Sequence, residues 1–158
     1  MNPELYESGF VQRWHTHPTL ARLGQTLGHH QWGVATLIAQ LHDNPSAALL
    51  MAALWHDVGE FEAGDMPYGA KEWNPALAYE LNNVERRAAL RITQSRLIQL
   101  DDDEADWLHL CDRLEAYLYV KTVAPHLLGS EEWRDCLNDI EKIAVDVGAY
   151  GVVSELVE

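Results

Sequence analysis

His56-Asp57 closes the apolar run Ala52-Ala53-Leu54-Trp55. A histidine and an aspartate at the end of a buried helix are costly there without partners. A divalent cation is one such partner, because imidazole nitrogen and carboxylate oxygen suit zinc, manganese, iron or cobalt. The plainer alternative is a hydrogen-bonded pair at a helix C-terminus, and a dipeptide by itself favours that alternative, since short motifs match by chance. A cation needs further ligands. His30, in Gly28-His29-His30-Gln31-Trp32, is the natural third, and Asp112, in Leu110-Cys111-Asp112-Arg113-Leu114, the natural fourth. Taken singly, His30 reads as a capping or surface histidine and Asp112 as a partner for Arg113. The metal reading depends on the four occurring together.

Glu60 lies about one helical turn beyond the His-Asp pair. A carboxylate there can orient or deprotonate a water. Asp65, in Gly64-Asp65-Met66-Pro67, can hold a second ion or protonate a leaving oxygen, and Lys71 offers a point charge for a phosphate. Upstream, Arg13-Trp14-His15-Thr16 pairs a phosphate-binding guanidinium with a flat ring on which a base can stack. Solvated loop acids, a surface lysine and a buried tryptophan beside a paired arginine are the ordinary readings of the same residues.

The elements that must position these groups are helical. Val34, Leu37, Ile38 and Leu41 give the segment 28–41 an apolar stripe. Asn44-Pro45-Ser46 resembles a cap followed by proline at the first helical position, and Asn74-Pro75 repeats the signal ahead of Leu77, Leu81, Val84 and Ala88. Asp101-Asp102-Asp103-Glu104 is an acidic helix start, with Trp107, Cys111, Leu114 and Leu118 on one face behind it. Ser130 is expected to cap the last long helix, with Trp133, Leu137, Ile140 and Val147 inward and Gly148 and Gly151 weakening its end. From Asp57 to Asn74 the pattern breaks into loop or short turns. No window alternates long enough for a sheet. The fold expected is all-α, a compact helical bundle with residues 1–158 as a single domain.

The 158 residues, 47% hydrophobic, suffice for one core. Two cysteines, Cys111 and Cys136, are too few for a disulfide framework and point to a cytoplasmic home. The N-terminus lacks the basic and apolar regions of a secretory signal, and no apolar stretch is long enough to span a bilayer. A net charge of −14 opposes binding to duplex nucleic acid. It also means that a phosphate substrate needs a metal and a few well-placed cations. Arg86, Arg87, Arg91 and Arg96 form a basic face that could meet acidic patches on another subunit.

Together these residues resemble the HD-domain phosphohydrolases, and more narrowly the small bacterial 5′-deoxynucleotidases and their phage-encoded relatives. The pattern runs in order over about two-thirds of the chain: Arg13-Trp14; His30 before Gln31-Trp32-Gly33-Val34-Ala35; His56-Asp57-x-x-Glu60; Gly64-Asp65-x-Pro67 with Lys71; and Asp112-x-Leu114-Glu115-Ala116-Tyr117. The resemblance implies an HD-type helical bundle with a divalent metal (Zn, Mn, Co or Mg) on His30, His56, Asp57 and Asp112. A second ion can enter with the substrate phosphates. It further implies water attack on the phosphorus bearing the 5′ oxygen. Glu60 and Asp65 would serve the water and the leaving group, Arg13 and Lys71 the phosphate, and Trp14 the base or sugar. It also favours a homo-oligomer. His29-His30-Gln31 departs from the Glu-His-Ser of many nucleotidases. The chain looks more like the phage branch, which includes enzymes that strip dATP of its triphosphate, and Trp14 and Thr16 are then where adenine is discriminated. A dATP-preferring triphosphohydrolase is therefore the leading expectation. A 5′-deoxynucleotidase acting on monophosphates is the alternative, and a non-catalytic nucleotide sensor the third.

Overall fold

The computed structural model describes residues 2–66, 71, 73–96 and 98–158. It is all-α, with 72% of the described residues helical. Among the described residues the only β-type pairing is an isolated bridge between Gln12 and Thr26. The chain divides into two compact units, Met1–Gln31 with Trp55–Leu97 and Trp32–Leu54 with Ile98–Glu158.

The first unit opens with α1 (Pro3–Glu7). The Asn2 side chain accepts from Glu4 N–H at 3.2 Å and Pro3 takes the first helical position, so the cap and the missing donor coincide. Asn2 Nδ2 also donates to Ile92 O at 3.1 Å. α2 (Leu27–Leu41) begins here; the Thr26 hydroxyl accepts from His29 N–H at 3.3 Å. α4 (Glu60–Ala63) packs against α5 (Pro75–Ile92). Val58, Ala88 and Ile92 form a buried cluster with Leu5, Phe61 and Ala89 around it. Asn74 caps α5 through Leu77 N–H at 3.2 Å, with Pro75 behind it, as the sequence predicts. The stretch expected to be loop or short turns thus contains the one-turn helix α4. Pro67 and the rest of 67–70, with residue 72, lie outside the described residues.

In the second unit α3 (Ala47–Trp55) is capped by Ser46, whose hydroxyl accepts from Leu49 N–H at 3.0 Å. The cap expected at Asn44 is therefore displaced, and Pro45 precedes it instead of following it. α6 (Asp102–Val123) starts with a full capping box between Asp101 and Glu104. Trp107, Cys111 and Leu114 are buried on it as expected, with Leu110, Tyr117 and Val120; Leu118 is only half-buried. α7 (Glu131–Asp146) packs on α6 and buries Trp133, Ile140 and Ala144. Ser130 stands at its cap position, but its side chain makes no capping bond, and Leu137 and Val147 are only partly covered. Gly148 does more than weaken this helix. At φ +75° it takes the left-handed conformation that glycine adopts without a Cβ clash. Ala149 N–H reaches back to Ala144 O at 2.7 Å, and a separate helix, α8 (Tyr150–Val157), follows.

Candidate active site

The centre of the site lies in the first unit. The Thr26 cap sets His30 in the first turn of α2, where it is fully buried. His56 and Asp57 follow the last residue of α3 in a tight turn, closed by Val58 N–H to Trp55 O (3.1 Å) and Glu60 N–H to Asp57 O (2.9 Å). That turn starts α4 at once and so brings Glu60 back beside the pair. His56 Nε2 lies 3.3 Å from His30 Nε2 and 3.2 Å from Asp57 Oδ2, and His30 Nε2 lies 3.6 Å from the same oxygen. The imidazole rings meet edge to face at 5.2 Å.

Three donor atoms at these separations fit one cation. Ligands at about 2.0–2.1 Å in tetrahedral array are roughly 3.3 Å apart. Two imidazole nitrogens and a carboxylate oxygen are also the donor types such an ion takes. His30 and His56 belong to a group whose ligand atoms are spaced to hold a metal. Asp112 stands half-buried on α6, in the second unit.

Glu60 has a side chain with 8% exposure, and its buried Oε2 has no hydrogen-bond partner among the described residues. Burial, and then the negative charges of Asp57, Asp65 and Glu85, push its carboxyl up to about 9, against the opposing pull of Arg13. Without a cation this carboxyl is protonated at neutral pH. A hollow of about 270 Å³ opens beside it, lined by His56, Asp57, Glu60, Asn82, Glu85 and Arg86 among others. Gly59 is what lets α5 approach. A Cβ there would lie 2.2 Å from Glu85 O, so only glycine permits this contact.

Trp14 has a left-handed backbone, φ 59°, which is rare for an aromatic residue. Contacts with Asp65, Gln25 and Arg13 help to hold it. Its N–H donates to Asp65 Oδ2 at 2.8 Å, its indole Nε1 donates to Gln25 Oε1 at 2.5 Å, and the Arg13 guanidinium lies 4.9 Å from the ring centre. Arg13 N–H in turn donates to Gln25 O at 2.9 Å. Asp65 therefore grips the Trp14 turn. Lys71 is ion-paired with Glu85 at 3.2 Å, and Thr16 is exposed.

Sequence reasoning missed Gln25, Asn82 and Glu85. A buried glutamine gives no spacing signal, and Asn82 and Glu85 on α5 read as the solvated side of a charged helix. Part of the basic face is engaged within the chain. Arg91 pairs with Glu4 and Glu62 in the same chain, Arg87 Nε donates to Asn83 O at 3.2 Å, and Arg86 lines the hollow.

No curated protein and no solved structure gives a significant match to the chain. The family model for 5′-deoxynucleotidase YfbR-like proteins matches residues 9–147, which takes in every residue of the ordered pattern from Arg13 to Tyr117. With histidines and an aspartate spaced for a cation inside that match, the chain belongs to the YfbR-like 5′-deoxynucleotidase family and is a metal-dependent phosphohydrolase of the HD-domain superfamily.

Proposed function

We propose that the protein hydrolyses deoxynucleoside 5′-monophosphates to deoxynucleoside and phosphate. The observation that carries this reading is the convergence of His30 Nε2, His56 Nε2 and Asp57 Oδ2 beside the buried Glu60, within a chain of this family. Asp112 is the proposed fourth ligand, on the strength of the Asp-x-Leu-Glu-Ala-Tyr motif it opens. A divalent cation on these residues, Mn, Co or Zn suiting the donors better than Mg, would polarise a phosphoryl oxygen and lower the pKa of water from 15.7 to about 7.

The protein's own groups do the rest. Water oxygen bonds to phosphorus, the P–O5′ bond breaks, and the 5′ oxygen leaves as the sugar hydroxyl. Glu60 takes the proton of the attacking water. Asp65, with Oδ2 committed to Trp14 N–H, has Oδ1 for the proton of the leaving oxygen. Arg13 and Lys71 bind phosphate, and Trp14 supplies the flat surface against sugar or base, with Thr16 at the base edge.

A second reading, a triphosphohydrolase acting on deoxynucleoside triphosphates with dATP preferred, is favoured by one observation: Arg86 lines the same hollow as His56 and Asp57. One assay separates the two. Purified protein with Mn²⁺, Co²⁺ or Zn²⁺ is offered each deoxynucleoside mono- and triphosphate, and products are resolved by anion exchange. Deoxynucleoside plus orthophosphate from monophosphates is the expected result. Deoxynucleoside plus intact tripolyphosphate would replace the first reading by the second. No turnover of any compound would overturn both and leave a nucleotide sensor.

A further inference from the structure

We infer that Arg86, with Asn82 one helical turn before it, is a binding site for phosphate groups beyond the one held at His56 and Asp57, so that the hollow also admits di- and triphosphates. The inference rests on the reading of the site as a nucleotide phosphohydrolase and names what its hollow admits.

The hollow of about 270 Å³ runs from His56 and Asp57 along one face of α5. At ~30 Å³ per water it holds on the order of nine waters, more than a single five-atom phosphate fills. Asn82 and Arg86 are four residues apart and therefore share a face. Both line the hollow and both are solvent-accessible. Neither has a hydrogen-bond or ion-pair partner among the described residues. The neighbouring arginines are committed elsewhere: Arg91 to Glu4 and Glu62, Arg87 to the Asn83 carbonyl.

Charge decides whether a polyanion can enter. Glu85 lines the same space, but Lys71 sits 3.2 Å from its carboxylate and offsets it. The guanidinium next to it in sequence is then the free positive group among the described residues of the wall, and its planar fork matches two oxygens of a phosphate. An amide one turn away adds a donor. The chemistry that fits is a chain of two or three phosphates, whose first member meets the His56–Asp57 end and whose outer members meet Arg86.

The test is a pair of binding titrations by calorimetry on the Mn²⁺-loaded protein, with Mn²⁺ in excess, using inorganic tripolyphosphate and orthophosphate. The wild-type protein is expected to bind tripolyphosphate at least tenfold more tightly than orthophosphate. Arg86→Gln should shrink that ratio about tenfold, Asn82→Ala by a few-fold, and Arg86→Lys should keep most of it. A wild-type ratio near one, or a ratio unchanged in Arg86→Gln, would overturn the inference. Should Arg86→Gln fail to fold, Arg86→Met, expected to lose the ratio as Arg86→Gln would, and Asn82→Ala carry the same comparison. Because no turnover is measured, failure here is distinct from failure of the proposed function. A protein that hydrolyses monophosphates yet shows no preference for tripolyphosphate keeps its activity and loses the outer site.

Discussion

At the scale of single residues, Glu60 is a carboxyl whose charged form the metal-free fold resists. Its carboxyl titrates near 4.5 when unfolded and about 9 when folded without metal. The folded state therefore binds more protons between those values, and stability of the metal-free protein falls as pH rises from about 5 to 9. Glu60→Gln removes the group that must be desolvated. In thermal melts with chelator it is expected to stabilise the protein by about 1–3 kcal/mol at pH 8 and by almost nothing at pH 4.5. Hydrolysis should be lost in the same variant. Equal melting at both pH values would show that Glu60 is not buried as described. Gly59 is the opposite case, a residue with no chemistry. An alanine methyl would have to displace the Glu85 backbone, so Gly59→Ala should destabilise by about 2–3 kcal/mol in denaturant titration. The pairing of His56 with Asp57 was legible from their place after an apolar run. Glu85 and Gln25 were not, because a pairing with Lys71 or with an indole is set by three-dimensional proximity and leaves no periodicity.

Elements show where local rules suffice. Asn74-Pro75 and Asp101 through Glu104 declare their helix starts, because cap and first-turn chemistry is confined to four consecutive residues. Asp101→Ala should cost about 1 kcal/mol in denaturant titration and leave kcat and KM unchanged. Asn44-Pro45 misled because Ser46 offers an equally good cap two residues later, and local chemistry does not rank the two. The break at Gly148 was half-legible: glycine marks a weak point, but the bond from Ala149 to Ala144 O decides that the chain turns and begins again. The Trp14 turn was not legible at all. No sequence rule assigns φ 59° to tryptophan, and the bond to Asp65, fifty-one residues away, is one of the contacts that hold it. Cutting the indole bond with Gln25→Leu, a substitution that fills similar volume, should raise KM several-fold while kcat changes little. Rescue by Gln25→Glu, which restores the acceptor, would separate positioning of the ring from a general loss of packing.

For the whole molecule the dominant fact is the charge of −14. Such a chain concentrates divalent cations and repels free phosphates, so the metal must both activate the site and reverse its local sign. Chelation should abolish hydrolysis, and titrating Mn²⁺ back should restore it while raising the melting temperature in proportion to occupancy. A protein that keeps full activity and an unchanged melting curve after metal removal would refute the metal-centred account. Helical spacing of apolar residues, with no alternating window, foretold the all-α class. Among the described residues, no helix is long and apolar enough to cross a membrane, as the interrupted apolar runs imply.

The clamp on Trp14 has an optical consequence. An indole fixed by a bond at its nitrogen and covered by a guanidinium is a nearly immobile emitter, and this one stands where the nucleotide is proposed to stack. Its fluorescence should be unusually polarised and should be quenched when a purine slides over the ring. A variant series that removes the other five tryptophans would turn the strained turn into a built-in gauge of occupancy, read in real time without a radioactive or coloured product.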